Sequence, residues 1–301
     1  MLKLVNEITP NIKLLWNYTP IPSYEQYIGA YLCTGKKNAV IDPGPGASIP
    51  GLINSIQAAG LQPEQIDYVI LTHIHMDHAG GASTALKTFR NAKVIVHGRG
   101  VRHLVDPSAL YRSSLETLGE LVIKYGKIDP VPPDRIIAAE EGMVIDLGGA
   151  SLQLVMTPGH AAHHLSVYEM KQRVLFSGDA AGIFHEGLLR LTTPPPFRLD
   201  EMLASLDKII ALSPHIICYG HLGAHNDAVV CLKTFRSLLL RCYEFAQSPA
   251  NRVKSYTDVL DALIEKEPDW KTHFAGLNTT AHKRDYSQLT NSVTGLMTAS
   301  N

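Results

Sequence analysis

Short apolar runs separated by turn residues dominate the first hundred positions of the chain. Residues 14–16, 27–32, 39–41, 68–71 and 93–97 have the length and composition of buried or half-buried strands. The polar turn at 35–38 and the Pro-Gly-rich stretch at 42–46 interrupt them. Helical spacing of apolar residues follows at 49–59 and again after Ala79. This strand–helix alternation predicts a partly parallel sheet with helices on its outer face.

The second half of the chain repeats this pattern after a different middle segment. Leucines at 98–141 predict one or two helices that end at the prolines 130–133, and we interpret them as a helical insertion near the mouth of a site, or equally as a plain outer-layer helix. Apolar runs at 143–145, 152–155, 165–168, 173–176 and 215–218 predict strands, with a helix at 199–212. We therefore expect an α/β fold, an αββα sandwich of two mixed β-sheets with helices on both outer faces. Residues 1–225 would form this domain, and 226–301 a helical C-terminal segment.

Composition narrows the classes of function. The 301 residues are 45% hydrophobic and 18% charged, which is ample for one large core. The 27 basic and 28 acidic residues give a net charge of −1, so nucleic acid is an unfavoured partner. The four cysteines show no disulfide or CxxC spacing, which fits a reducing compartment. Residues 1–7 lack a signal-peptide pattern, and no run of about 18 apolar residues occurs. We therefore predict a cytoplasmic protein without a membrane span. A homodimer is compatible with the sequence.

Four candidate metal ligands fall within six residues directly after the apolar run 68–71. They are His73, His75, Asp77 and His78. The first two are two positions apart and point to one side of an extended segment, whereas the last two follow as the chain turns. One short segment can thus supply two neighbouring ions. Imidazole and carboxylate ligands suit zinc, iron or manganese, and the lack of cysteine argues against a structural zinc site.

This segment resembles the central motif of the metallo-β-lactamase-fold hydrolases, and four further motifs of that family follow the same order. They lie at 41–44 (IDPG), 157–160 (TPGH), 177–179 (SGD) and 219–221 (YGH). The resemblance covers roughly residues 12–225, and it implies the same αββα sandwich with metals at one edge.

The resemblance also implies the ligands. One ion would be bound by His73, His75 and His160, the second by Asp77, His78 and His221, and Asp179 would bridge them. The cofactors would be two divalent ions, with zinc favoured over iron or manganese.

Three residues have expected roles beyond metal binding alone. Asp77 would orient the nucleophile and accept its proton. We expect Asp42 and His164 to support the ligands by hydrogen bonds without binding metal.

The predicted function is hydrolysis of an ester, thioester, lactone or similar bond in a small molecule by a metal-bridging hydroxide. The glyoxalase-II-like branch is the nearest comparison, but it carries Gly-Cys-Gly-Arg after the bridging Asp, where residues 180–187 here are AAGIFHEG. The same difference weighs against one alternative, a mononuclear-iron persulfide dioxygenase. The near-zero net charge weighs against another, an RNA-cleaving metallohydrolase.

The segment after Asp179 also gives a prediction about substrate. Phe184 and His185 lie between Gly182 and Gly187, and a glycine-flanked loop leaving a metal site is expected to reach the substrate pocket. An exposed histidine on a surface turn is an equally weighted alternative for His185.

Overall fold

The structure is a computed structural model that describes residues 4–185, 188–221, 223–275 and 279–299. Its first half is a seven-stranded sheet whose strands lie in chain order. Neighbouring strands pair antiparallel from the first to the fourth strand and parallel from the fourth to the seventh. The strands are β1 Val5–Thr9, β2 Ile12–Trp16, β3 Gly29–Cys33, β4 Ala39–Ile41, β5 Tyr68–Ile70, β6 Lys93–His97 and β7 Ile136–Ala139. The helices among them are α1 Ile49–Ala58, α2 Met76–Ala79, α3 Ala82–Leu86, α4 Val101–Val105, α5 Ser108–Leu118 and α6 Glu120–Tyr125.

The second half forms a six-stranded sheet, a separate two-stranded hairpin and five helices. The strands are β8 Val144–Asp146, β9 Ser151–Met156, β10 Leu165–Glu169, β11 Val174–Gly178, β12 Ile183–His185, β13 Leu188–Arg190, β14 Ile216–Tyr219 and β15 Ala224–Asn226. The helices are α7 Leu199–Ala211, α8 Ala228–Ala246, α9 Tyr256–Lys266, α10 Pro268–Phe274 and α11 Thr280–Thr298. The sheet order is β15-β14-β11-β10-β9-β8, and β12 pairs with β13. Strands β11 and β14 are parallel and are joined through α7.

The two sheets pack face to face over a shared hydrophobic core. Leu14 and Tyr31 from the first sheet meet Leu154 and Phe176 from the second, and the rings of Tyr31 and Phe176 lie 5.3 Å apart. Helices α1 and α3 cover the outer face of the first sheet. Helices α7 and α8 cover the outer face of the second. The predicted αββα sandwich is confirmed.

The C-terminal helices α8 to α11 belong to the same hydrophobic core as α7. Leu263, Trp270 and Leu289 are buried with Leu206 and Ile217. Strand β15 includes residues 225 and 226, so the predicted boundary between residues 1–225 and 226–301 falls inside a strand. The division into these two parts stays a prediction. No helix in the described ranges combines the length and the apolar character that a membrane span requires.

In the predicted insertion at 98–141, the α-helices are α4 to α6, and short 3-10 turns lie at Gly98–Gly100 and Pro133–Arg135. Residues 136–139 instead form β7, an edge strand whose few large apolar residues gave little sequence signal. Val122 and Tyr125 of α6 pack against Ile21 and Met76, the first residue of α2. The helical part therefore lies beside the histidine-rich segment.

Candidate metal centre

All seven predicted ligands come together at one edge of the sandwich, where strands end. His73 and His75 follow β5 in extended backbone, and α2 begins at Met76, so Asp77 and His78 leave in a different direction. The other three ligands follow strands of the second sheet. Because the carboxyl ends of parallel strands meet at one edge, ligands from distant positions converge there.

The candidate ligand atoms form two end groups, and a third group of His73, His78 and Asp179 overlaps both of them. In the first, one nitrogen from each of His73, His75 and His160 lies within 4.8 Å of the others, and Nδ1 of His75 is 2.9 Å from Nε2 of His160. In the second, Nε2 of His78 is 3.3 Å from Nε2 of His221. Oδ2 of Asp77 lies 3.7 Å from both of these nitrogens.

Asp179 lies between the two groups and presents one oxygen to each. Its Oδ1 is 3.5 Å from Nε2 of His78 and 3.5 Å from Nε2 of His221. Its Oδ2 is 3.6 Å from Nε2 of His160 in the first group. A carboxylate in this position can contact two ions at once.

The donor atoms themselves fit metal ions. Among the described residues, Nε2 of His73 and Oδ1 of Asp179 are buried and have no hydrogen-bond partner. A buried polar atom left without a partner costs about 1–3 kcal/mol. Imidazole nitrogen and carboxylate oxygen are ligands for zinc, iron or manganese, so a bound cation would supply the missing partner.

Hydrogen bonds from outside the centre determine which nitrogen of His78 and of His160 faces inward. Nδ1 of His78 donates to Oδ2 of Asp42 over 3.0 Å. Asp42 also accepts from the backbone N–H of Thr72 at 2.8 Å and from its hydroxyl at 2.6 Å. Nδ1 of His160 donates to the carbonyl oxygen of Thr192 over 2.8 Å. With Nδ1 protonated, the lone pair of Nε2 points into the centre.

His164 acts on the backbone of Asp179. Its Nε2 accepts the N–H of Asp179 at 3.1 Å, so its Nδ1 carries the proton and donates to the hydroxyl of Thr157 at 2.8 Å. His164 is fully buried and lies outside both ligand groups. A role for His164 and Asp42 in supporting the ligands stays a prediction.

Burial keeps most of these imidazoles neutral, which is the form that binds metal. It holds the pKa of His73, His75 and His164 well below the usual value, and neighbouring imidazoles lower it further. The pKa of His160 is also lowered by burial.

His78 and Asp179 shift in the direction of their charged forms. Burial disfavours the charge on His78, but the carboxylates of Asp77, Asp179 and Asp42 outweigh it and raise the pKa to about 10. Burial likewise disfavours the charge on Asp179, but His221, His78 and His160 hold its pKa well below the usual range. Without metal, this side of the centre therefore holds a proton that a cation can replace.

Gly220 lies in close contact with ligands of the second group. A Cβ at this position would be 2.7 Å from Cε1 of His78 and 3.0 Å from Oδ1 of Asp179. Both distances are too short for a side chain, so the YGH motif needs glycine for the close approach of the chain to the centre.

An aromatic wall, which the sequence interpretation missed, flanks the second group. The ring of Tyr27 lies 4.5 Å from that of His221, and Tyr24 lies 5.3 Å from Tyr27 and 6.2 Å from Tyr125. The guanidinium carbon of Arg284 is 4.2 Å from the centre of the Tyr27 ring. These residues come from a loop, the insertion and α11, so no local motif announces them.

The segment after Asp179 differs from the predicted loop. Residues 183–185 and 188–190 pair as the hairpin of β12 and β13. The ring of Phe184 stacks on Tyr219 at 5.7 Å and meets His225 at 5.0 Å, whereas Ile183 packs against Tyr27. The side chain of His185 lies outside the described part of the structure. A substrate-binding role for Phe184 and His185 stays a prediction.

Comparison with known proteins agrees with this geometry. The family model of the metallo-beta-lactamase superfamily matches residues 29–221. A metallo-beta-lactamase fold-containing protein of Sulfurisphaera tokodaii is 33% identical over 203 residues, which are 66% of this chain and 74% of that protein. The hydroxyacylglutathione hydrolase GloC of Haemophilus influenzae is 27% identical over 210 residues, covering 69% and 90% of the two chains.

Solved structures show the same relationship. A metallo-beta-lactamase superfamily protein from Sulfolobus tokodaii superposes with a TM-score of 0.74 at 25% identity, covering 96% of this chain and 98% of that one. A metallo-beta-lactamase family protein from Thermus thermophilus gives a TM-score of 0.68 at 20% identity, over 95% and 92% of the chains. Motifs, fold, ligand geometry and family model agree, and the chain belongs to the metallo-beta-lactamase superfamily of metal-dependent hydrolases.

Proposed function

We propose that this protein is a dinuclear metallohydrolase that cleaves an ester, thioester, lactone or similar bond in a small molecule. The observation that carries the proposal is the position of Asp179, whose two carboxylate oxygens face the two ligand groups separately. A carboxylate that served a single ion would have no reason to lie between both groups. The proposed ligands are therefore those that the sequence predicted, three for each ion plus the bridge.

The proposed metals are two divalent ions, with zinc favoured by the mixture of imidazole and carboxylate donors. When bound, such a pair lowers the pKa of a shared water from 15.7 towards about 7 and supplies hydroxide at neutral pH. The nucleophile then needs no serine or cysteine. The residues of the chain have the tasks of holding the ligands, orienting the nucleophile and placing the substrate.

Asp77 is the candidate for orienting the nucleophile and accepting its proton. Its side chain is 20% exposed, whereas His78, Asp179 and His221 are 0–7% exposed. Its Oδ2 lies 3.7 Å from Nε2 of both His78 and His221, so Oδ1 is the candidate atom for contact with the nucleophile. A carboxylate that is both ligand and partly exposed can bond to a water and pass its proton to solvent.

The partly exposed ring of Tyr24, supported by the buried rings of Tyr27 and Tyr125 and by Arg284, is the candidate for substrate contact. Of these rings, Tyr27 lies against His221 and therefore beside the reacting bond. Aromatic rings offer apolar contact and exclude water from the centre. The Haemophilus relative, a hydroxyacylglutathione hydrolase, supports placing thioesters first among the substrates to be tested.

Metal analysis followed by a substrate panel tests the proposal. Purified protein should contain close to two divalent ions per chain, and at least one ester, thioester or lactone should be hydrolysed with a rate that a chelator abolishes. The same panel should include a persulfide and a single-stranded RNA. One iron per chain with persulfide oxidation, or RNA cleavage alone, would contradict the proposal.

A further inference from the structure

Residues 191–193 connect the metal centre to the C-terminal helix α11. Thr192 is 3% exposed and contacts two ligands through two different atoms. Its carbonyl oxygen accepts Nδ1–H of His160 at 2.8 Å, and its hydroxyl donates to the carbonyl oxygen of Asp179 at 2.6 Å. One residue thus fixes both a ligand of the first group and the residue that faces both groups.

Helix α11 holds this short segment through Ser292, which is 1% exposed. The hydroxyl of Ser292 donates to the carbonyl oxygen of Leu191 at 2.9 Å and accepts the N–H of Thr193 at 3.3 Å. The hydroxyl of Thr193 donates to the carbonyl oxygen of Ser292 at 3.0 Å. Three hydrogen bonds therefore flank Thr192 on both sides and fix its backbone.

The helix also touches the segment without any intervening side chain. A Cβ at Gly295 would lie only 1.9 Å from the carbonyl oxygen of Thr193. A residue larger than glycine would push helix and segment apart. The contact is therefore a direct one between two backbones.

Helix α11 is itself firmly placed. Leu289, Val293 and Leu296 are fully buried in the core that covers the second sheet. The side-chain amide of Gln247, the residue directly after α8, donates to the carbonyl oxygen of Leu296 at 2.6 Å. The chain of contacts thus runs from the outer core through Ser292 and Thr192 to His160 and Asp179.

We infer that α11 is part of the metal-binding machinery and that Ser292 and Thr192 are positioning residues for His160 and Asp179. The inference rests on the proposed dinuclear centre and adds a helix outside the family-matched residues 29–221 to it. Loss of a hydrogen-bond partner behind a metal ligand lowers metal affinity by about 10–100-fold. Because coupling between two sites is reciprocal, bound metal also stabilises the docked position of α11.

Two substitutions in the full-length protein test the inference. Thr192→Val has nearly the same volume and removes the hydrogen bond from the Thr192 hydroxyl to the backbone carbonyl of Asp179. Ser292→Ala removes the hydrogen bonds of the Ser292 hydroxyl with Leu191 and Thr193. Cobalt(II) titration against a competing chelator should give affinities about tenfold weaker in both variants, with altered visible absorption of the bound cobalt. Thr192→Ser keeps the hydroxyl and should restore affinity and spectrum. Ser287→Ala, on the exposed side of α11, is the matched control.

The outcomes separate this inference from the proposed function. Parent protein that binds fewer than two cobalt ions would overturn the dinuclear proposal, and this inference with it. Parent-like affinity and spectrum in Thr192→Val would overturn the inference alone, even if the variant melts at a lower temperature. If Ser292→Ala does not fold, the comparison of Thr192→Val with Thr192→Ser still tests the inference. Amide hydrogen exchange in α11 of the parent protein should slow when cobalt is bound, and unchanged exchange would count against the coupling.

Discussion

The carboxylate of Asp42 lies 3.0 Å from Nδ1 of His78, and both side chains are buried behind the centre. A carboxylate oxygen that accepts Nδ1–H orients the imidazole and directs Nε2 towards the centre. Two further bonds from Thr72 hold the carboxylate itself. The conformation of the first motif is therefore tied to the second group of ligands.

Asp42→Asn should weaken metal binding without loss of the fold. The amide has the same shape but no charge and only one accepting oxygen, so it cannot serve His78 and Thr72 as Asp42 does. We expect metal affinity to fall by about 10–100-fold, measured by chelator competition. Asp129→Asn, at an exposed ion pair with Lys87, is the control. Equal affinities for the two variants would show that Asp42 plays no part in holding the ligand.

Asp179→Ala should reduce the metal content from two ions towards one. Without the shared carboxylate, the two ions would face each other with less compensating negative charge. The loss of activity should exceed the roughly 10–100-fold typical of an outer partner, while circular dichroism stays that of the folded parent protein. Elemental analysis checks the stoichiometry. A variant that retains two ions and full activity would refute the bridging role.

Tyr24→Ala should affect substrate binding more than metal binding. Tyr24 stands at the half-exposed edge of the aromatic wall and is not a ligand. Removal of one aromatic contact worth about 1–2 kcal/mol should raise KM by roughly 5–30-fold. Tyr18→Ala, at a tyrosine that is 42% exposed, is the control. A fall in kcat with unchanged KM would instead assign Tyr24 to the chemical step.

The stability of metal-free protein should be greatest near pH 6.5. Burial lowers the pKa values of His73, His75 and His164 in the folded protein. Below about pH 6.5 the unfolded chain therefore binds protons that the folded chain does not, and the free energy of unfolding decreases as the pH is lowered. His78, with its pKa raised to about 10, contributes stability that is complete below 6.5 and is lost as pH rises through about 10.

Urea unfolding in the presence of a chelator at several pH values measures both sides of this profile. His164→Gln should flatten the acid side, because one fewer histidine is kept neutral in the fold. His215→Gln, at an exposed histidine, should leave the slope unchanged. A metal-free profile that is flat between pH 5 and 6.5 would contradict the assignment of neutral buried imidazoles.

Metal binding should stabilise the fold itself. His73, His75, Asp77 and His78 follow a strand of the first sheet, and the remaining ligands follow strands of the second. A free metal concentration of 1,000 times Kd would add about 4.1 kcal/mol per independent site to the free energy of unfolding. Urea titration with and without chelator measures this difference. Identical curves would mean that no ion links the two sheets.

The sequence was sufficient for the sandwich and for choosing seven residues that the structure brings together at one edge, because both depend on local signals. The run 68–71 and the cluster after it are contiguous, and each later ligand stands in a short motif behind a strand. Strand β7 was missed because its sequence, IIAA, carries little apolar contrast at an exposed edge. The hairpin of β12 and β13 was taken for a loop because its strands have three residues each.

The surroundings of the ligands could not be predicted for a different reason. The contact of Thr192 with His160 uses a backbone carbonyl, which every residue possesses and no side chain reveals. Arg284 reaches Tyr27 across more than 250 positions of sequence, so only the packing of α11 brings them together. Such contacts form only in the complete tertiary structure, so the residue types along the chain do not predict them.

The division of the ligands between two sheets has a consequence for the order of folding. The four ligands of the first half emerge together during synthesis, but His160, Asp179 and His221 follow much later, and α11 comes after all of them. A nascent chain that ends before residue 160 can offer only part of either group, and one that ends before residue 221 still lacks His221 of the second group. If both groups bind metal as proposed, we expect loading of the second group to follow the synthesis of residue 221 and the docking of the two sheets.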